Sequence, residues 1–492
     1  MNEVHNEFET VKIYNLIKGV GKMKKVLFVL VIFAMLLASC APAAAPKQEA
    51  PKEEAKPAEV KPTEAPKAAE PKQEAPKEEA KPAEVKPTEA PKAAESVTIR
   101  ALFMKQAGYQ ESDIQAMSDE FMKMNPNIKV ELDFVTYEAL HDKIVTSAAA
   151  KAGTYDIVLM DCIWPAEFAA AGFILDVSDK ISADMKKDIW PGALESVTYK
   201  GKLYGMPWLN DIVYFYYNED LLKKAGYDKP PKTYTEMTEM AYAAKKKGVV
   251  EYPFVETFHQ DEGMTISFSY FLLARGGKMF DAEDKPAFNS PEGLETLNWI
   301  VKGMKDGLFN PSSTESGYEE VRNTFSQGSS LFSENWAYQL NMANDPKESK
   351  IAGNAKIAPL PGEKLPSATI NGGMGLAITA DSKNPDAAWQ YMLYISSKEV
   401  QKKYAQNALP IWMSLFDDPD LVKMQPELIP VSKEAYKYLQ NRPLIPFYSE
   451  ATKVISREFQ TAVLGKKTPE QALKDAETEI LKIREQYKPG GK

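Results

Sequence analysis

Four tryptophans sit beside proline or at the ends of elements: Ile163-Trp164-Pro165, Met206-Pro207-Trp208, Glu334-Asn335-Trp336 and Leu409-Pro410-Ile411-Trp412. Three have a carboxylate or an amide close by, in the pairs Asp161/Trp164, Trp208/Asp211 and Asn335/Trp336. Loops at strand ends carry function disproportionately. A flat indole packs against the apolar C–H faces of a sugar ring, while carboxylates and amides bond its hydroxyls. One such pair is weak, because loop tryptophans often cap a core. Three together point to a sugar-type site. Trp299 and Trp389 differ: they share helical patterns with Leu297, Ile300, Tyr391 and Leu393, and read as core.

Other chemistries find less support. Asn371-Gly372-Gly373-Met374-Gly375 lacks the Lys-Ser/Thr of a phosphate loop and precedes a strand, so it reads as backbone closely approached by a ligand. His141 on a helix and His259 in a loop have no serine or cysteine elbow to activate. Cys162, next to Asp161, reads as a small buried hydrophobe. Asp417, Asp418 and Asp420 surround an Asp-Pro helix start and lack the ligand spacing of a calcium loop. Two cysteines and three histidines leave little for zinc or an iron–sulfur cluster, so no metal or cofactor is expected. A net charge of -9 argues against a nucleic-acid partner.

The elements that must position these residues alternate. Val97–Phe103 is a strand, and Ile114, Met117, Phe121 and Met124 follow at helical spacing and stop at Pro126. Ile128, Val130, Leu132 and Phe134 alternate as a strand. Leu140, Ile144, Val145 and Ala148 return to helical spacing, and Asp156–Met160 is a short apolar strand. This β-α-β-α-β order predicts an α/β fold with a mainly parallel sheet covered on both faces, and it sets Asp161 at a C-terminal strand tip, where ligands bind in such sheets. Thr233 with Glu236 forms a capping box ended by Gly248. Ser290-Pro291, Asn384-Pro385 and Thr468-Pro469 start helices, and Lys200-Gly201 centres a hairpin.

The first 95 residues obey other rules. Met23-Lys24-Lys25, the apolar run Val26–Leu37 and Leu37-Ala38-Ser39-Cys40 describe a secretory signal, residues 23–39. Its small residues ending in cysteine resemble a bacterial lipobox, which implies cleavage before Cys40 and a lipid on its sulfur. Acidic residues precede Met23, and residues 1–22 read as an extension before the true start. Pro46–Glu70 recurs letter for letter as Pro71–Glu95. Rich in Pro, Lys and Glu, residues 40–95 cannot bury a core and read as a disordered tether.

The order of motifs resembles the extracellular solute-binding proteins of carbohydrate ABC transporters, in their trehalose/maltose-type branch. The resemblance runs from about Val97 to Tyr487. It rests on Tyr155–Val158 with Phe168–Gly172, Gly201–Pro207, Tyr216–Asn218 with Leu221–Gly226, Phe288–Gly293, and Ala387–Trp389 with Ser396–Gln401. It implies two α/β lobes joined by crossover strands, with lobe 1 as 96–209 and 358–408 and lobe 2 as 210–357 and 409–492. By the family pattern Asp161 and Asp211 are hydroxyl acceptors, Trp336 a stacking platform and Gly373 a main-chain contact. Glu262 matches a position near the site, and Tyr109 and Glu111 are further cleft residues. Met374 replaces a frequent Trp, and Trp412 falls where Arg is common, so maltose and trehalose are not expected to be the best ligands. The expected protein is a monomeric, lipid-anchored receptor outside the cytoplasm. It delivers a sugar or polyol to permease subunits and their ATPase, touches the membrane only through its anchor, and catalyses nothing. The rival readings are a lipid-anchored glycoside hydrolase using two of these carboxylates and a surface adhesion lipoprotein.

Overall fold

The chain leaves one sheet after about 110 residues of α/β structure, builds a second, and returns to the first. In the computed structural model residues 96–105, 108–406 and 408–487 are described. The signal segment, Cys40 and the tether lie outside them. The first sheet joins β1 (Val97–Met104), β2 (Ile128–Val135), β3 (Ile157–Asp161), β6 (Met206–Leu209) and β12 (Met374–Ile378) in the order β2-β1-β3-β12-β6. β1 runs parallel to β2 and β3, as helical crossovers require. β12 runs antiparallel to β3 and β6. Between β3 and β6 lies the hairpin of β4 (Thr198–Tyr199) and β5 (Lys202–Leu203), turned by Lys200 and Gly201, both at positive φ.

The second sheet joins β7 (Tyr214–Asn218), β8 (Phe254–Val255), β9 (Phe332–Asn335) and β10 (Ala355–Ala358) in the order β10-β7-β9-β8. Only β8 and β9 pair in parallel. Both sheets are therefore mixed rather than mainly parallel. Strands linked by one helix must be parallel, but a strand that re-enters a sheet after crossing from the other one is free of that constraint.

Three segments pass side by side between the sheets. Residues 209–214 lead from β6 to β7. β11 (Thr369–Ile370) leads towards β12, and β13 (Leu439–Gln440) pairs with β11 in parallel. Ile212 bridges Asn371, and the Asn371 amide donates to Gln440 O at 2.9 Å. This is the crossover of a two-lobed α/β fold.

Each sheet buries its faces under helices. Helix Pro385–Ile395 packs on helix Glu111–Met124, where Ser118 and Tyr391 share a buried hydroxyl bond of 2.6 Å. Helix Tyr448–Val463 packs on Glu262–Ala274 through Phe459 and Phe268, 4.4 Å apart. Ser290, Thr468 and Asp418 cap their helices by side chain, whereas Asn384 makes no such bond. Lys402 holds Asp418 and Asp420 at 2.9 Å each, which settles the acidic cluster as a helix start. Among the described residues no helix is long and apolar enough to cross a membrane, and no cluster of His, Cys, Asp and Glu could hold a metal ion.

Candidate functional site

Asp161 is the last residue of β3 and is buried. Its carboxylate accepts the Tyr137 hydroxyl at 2.9 Å and is bonded by Nη2 of Arg442. The helix that follows is not capped by it: Trp164 holds the N-cap position, and Asp161 makes only a 3.4 Å bond to the Ile163 amide. Trp164 is buried and stacks on Tyr137 at 5.7 Å, so it steadies the tyrosine that orients Asp161.

Arg442 is a site residue that the sequence pattern did not reveal. It follows β13 in Asn441-Arg442-Pro443, and its side chain is 3% exposed. Nε donates to Asn371 O at 3.0 Å, Nη1 to Glu262 at 3.1 Å, and Nη2 to Asp161 and to Cys162 Sγ. One planar fork thus joins the end of β3 in the first sheet to the start of helix Glu262–Ala274 beside the second. Its backbone is fixed through Asn371, whose amide side chain donates to Gly192 O and to Asn441. A lone guanidinium flanked by proline in an apolar stretch was the only signal available.

Glu262 is the first residue of its helix, where the helix dipole favours a carboxylate. It also accepts the Tyr448 hydroxyl at 2.8 Å and the Thr452 hydroxyl. Burial pushes its carboxyl up, and the charge of Arg442 opposes that. A crevice too narrow to hold a water borders the cluster between Cys162, Ser196, Asn371 and Arg442.

Asp211 lies in the first crossover. It accepts the Ile212 amide at 2.9 Å and the Ala337 amide at 3.3 Å, and its own carbonyl accepts the Gly372 amide. Burial raises its carboxyl to about 7 against those two amides. Trp336 follows β9, half-buried against Tyr318, with ring centroids 5.3 Å apart. Its indole lies over Gly372, where a Cβ would come within 2.1 Å of the ring. The close approach expected at the glycine run is therefore made by protein. A Cβ on Gly375 would likewise strike Val197 at 2.2 Å.

Several expected ligand contacts have other duties here. Trp208 is wholly buried against Phe103 and Tyr109. Tyr109 is buried with it, because the apolar faces of both rings fill the end of the first core. Trp412 is buried, bridges Ile189 and donates its indole N–H to Ser396 O at 2.8 Å. Met374 is a buried strand residue. Gly373 spends its main chain on Asn371 Oδ1 and the Cys162 amide. Glu111 is an exposed first-turn acid, 4.0 Å from Lys105. The guanidinium among these residues is that of Arg442, on Asp161 and Glu262, rather than one at position 412.

With two lobes, a crossover and converging polar groups, the chain has the plan of a receptor that closes on a solute. It belongs to the family of bacterial extracellular solute-binding proteins, which matches residues 107–402. A probable ABC transporter-binding protein of Deinococcus radiodurans is 31% identical over 351 residues, 68% of this chain and 81% of that one. The maltose-bound MalE3 of T. maritima is 28% identical with a TM-score of 0.73, and covers 79% of this chain and 100% of its own. An ABC transporter solute-binding protein of Thermotoga lettingae bound with α-D-tagatose is 27% identical with a TM-score of 0.72 over the same shares. The chain is thus an extracytoplasmic solute receptor that serves an ABC transporter, and it is not an enzyme. The hydrolase and adhesion readings fall with that.

Proposed function

We propose that the solute is a neutral sugar or polyol, bound in the cleft where Asp161, Glu262 and Arg442 converge beside Trp336. The observation that carries this is the donor and acceptor set. Two carboxylates, one guanidinium and the hydroxyls of Tyr137, Tyr448 and Thr452 meet in one buried cluster next to a half-buried indole. Such a set matches hydroxyls that both donate and accept, and the indole matches a C–H face. The guanidinium is already shared by two carboxylates, so the cluster offers no surplus positive charge to an anionic solute. The bound maltose and tagatose of the two structural relatives support the same class.

In this proposal Asp161, Glu262, Arg442, Asp211 and Trp336 contact or face the ligand, and Trp164 and Tyr137 position Asp161. Closure brings together lobe 1, 96–209 and 358–408, and lobe 2, 210–357 and 409–492. Within 409–492, the segment around 412–414 is the exception and moves with lobe 1, to which Trp412–Ser396 and Ser414–Asp188 tie it. The mature chain acts as a monomer, held to the membrane by a lipid on Cys40 and lifted by the 40–95 tether. A thermal-shift screen over mono-, di- and trisaccharides and polyols tests the ligand class, and no stabilisation by any of them refutes it. Cys40→Ala should release the protein from the membrane fraction; retention there refutes the anchor.

A further inference from the structure

Glu256 and Glu334 are both fully buried, and among the described residues no lysine or arginine sits on either carboxyl. Glu256 immediately follows β8, and Glu334 lies in β9. The parallel register Val255↔Ser333 sets the two side by side. One oxygen of each is well served. Glu256 Oε1 accepts the Thr257 amide at 2.7 Å and the Ser267 hydroxyl at 2.9 Å, and Glu334 Oε1 accepts the Tyr234 hydroxyl at 2.9 Å. The other oxygen of each, Oε2, is buried with no well-aligned donor among the described residues; the Tyr270 hydroxyl beside both carboxyls has one proton and can serve only one of them. Two ionised carboxylates in that position would repel and would strand a lone pair, at a cost that proteins avoid.

We propose that Glu256 and Glu334 share one proton, and that this carboxyl–carboxylate pair clamps the ends of β8 and β9 so that the two loops leaving them hold Trp336 and Glu262 in place. Trp336 lies two residues beyond Glu334, and Glu262 six beyond Glu256. Among the described residues the surroundings bring no competing charge into contact. Helix Tyr234–Lys246 contributes Tyr234, and helix Glu262–Ala274 contributes Ser267 and Tyr270. The turn Pro311–Thr314 contributes Ser313, and helix Tyr318–Ser326 contributes Tyr318. Tyr270 lies beside both carboxyls, and Tyr318 packs on Trp336. One shell further out, Arg275 stands over the Tyr234 ring at 5.9 Å, and Asp261, Glu262 and Arg442 act on Tyr318. Burial moves both carboxyls up, Glu256 to about 7.

The sign follows from linkage. The unfolded chain releases the proton near the ordinary carboxyl value, and the native pair keeps it to about 7 or above. Stability is therefore full below the unfolded value and falls as pH rises through that window.

Glu256→Gln places an amide where the shared proton sits: its carbonyl can keep the Thr257 and Ser267 bonds while its NH2 donates to Glu334. None of the readouts needs a ligand, so they are independent of the sugar assignment. In the full chain at pH 6, the infrared band of buried protonated carboxyls should be weaker in Glu256→Gln than in the parent by one carboxyl, because Asp211 contributes equally to both. The melting temperature of the parent should fall more steeply between pH 5 and 8 than that of Glu256→Gln. The fluorescence of Trp336, taken as the difference from Trp336→Phe, should change over this range in the parent and stay level in Glu256→Gln. Glu334→Gln is the mirror variant. Bands of equal strength in parent and Glu256→Gln, parallel pH slopes, or failure of both neutral variants to fold overturns the proposal.

Discussion

Arg442→Met is the sharpest test of the cleft. The substitution keeps an unbranched apolar stem and removes the fork that ties Asp161 to Glu262. Four bonds go with it, to Asp161, Glu262, Asn371 O and Cys162. What stays behind matters more: two carboxylates, in side chains 6% and 10% exposed, lose the cation that neutralises them. Breaking a buried ion pair from one side costs about 3–5 kcal/mol. For a folded part this long, about 1.2 °C of melting temperature is lost per kcal/mol, so a fall of roughly 4–6 °C is expected at pH 8. The pH dependence separates this mechanism from a packing defect. Glu262 is already pushed up by burial, and without the opposing guanidinium it rises further. A raised carboxyl carries no penalty below its unfolded value, and a growing one as pH climbs towards its folded value. The deficit of the variant should therefore shrink on going from pH 8 to pH 5. Chemical unfolding of parent and variant, without added sugar, at both pH values measures it. A loss under about 1 kcal/mol at pH 8, or an equal loss at both, would refute the view that Arg442 is needed to neutralise these two acids.

Four further outcomes follow from the same geometry. Asp161→Ala should weaken sugar binding by about 1.5–3 kcal/mol per bond lost, and by stranding Arg442 it should also lower ligand-free stability; calorimetry and melting that show unchanged affinity would remove Asp161 from the site. Gly372→Ala should displace the Trp336 ring, since the new Cβ has no room, and its tryptophan fluorescence and sugar affinity should both change. Asp211→Asn keeps an acceptor for Ile212 and Ala337, so stability at pH 8 should rise by about 1–2 kcal/mol over the parent, discounted because the side chain is only half-buried, and should be unaltered at pH 4. Small-angle scattering with a saturating sugar should give a smaller radius of gyration, and an unchanged value would count against closure.

The legible parts of this molecule are those governed by local rules. The alternation in β2, the helical spacing from Ile114 to Met124 and the helix starts at Ser290, Thr468 and Asp418 depend on neighbours within a few residues, and they stand where the spacing places them. The direction of β12 was not legible, because it depends on which sheet the chain has just left. The tryptophans were half legible. Beside proline, Trp208 and Trp412 look like Trp336, but only contacts from distant segments decide which indole fills a core and which stays half-buried. Arg442 was invisible for the same reason: its partners are Asp161, 281 residues away, and Glu262, 180 residues away.

That long reach suits Arg442 to a protein that must open and close. A buried ion pair is a weak source of net stability, because desolvation of both partners offsets most of the attraction. Opening the cleft would return Asp161, Glu262 and Arg442 to water and recover that desolvation cost, so the two forms can differ by only a few kcal/mol. A solute that bonds both carboxylates and stacks on Trp336 adds its contacts to the closed form alone. It shifts the equilibrium by no more than that difference in affinity, and about 5.5 kcal/mol suffices to carry a population from 1:99 to 99:1. A cleft lined by apolar residues would gain more from closing on itself and would leave the solute less to decide. Polar groups that water satisfies in the open form as well as they satisfy one another in the closed one would make closure answer to the ligand.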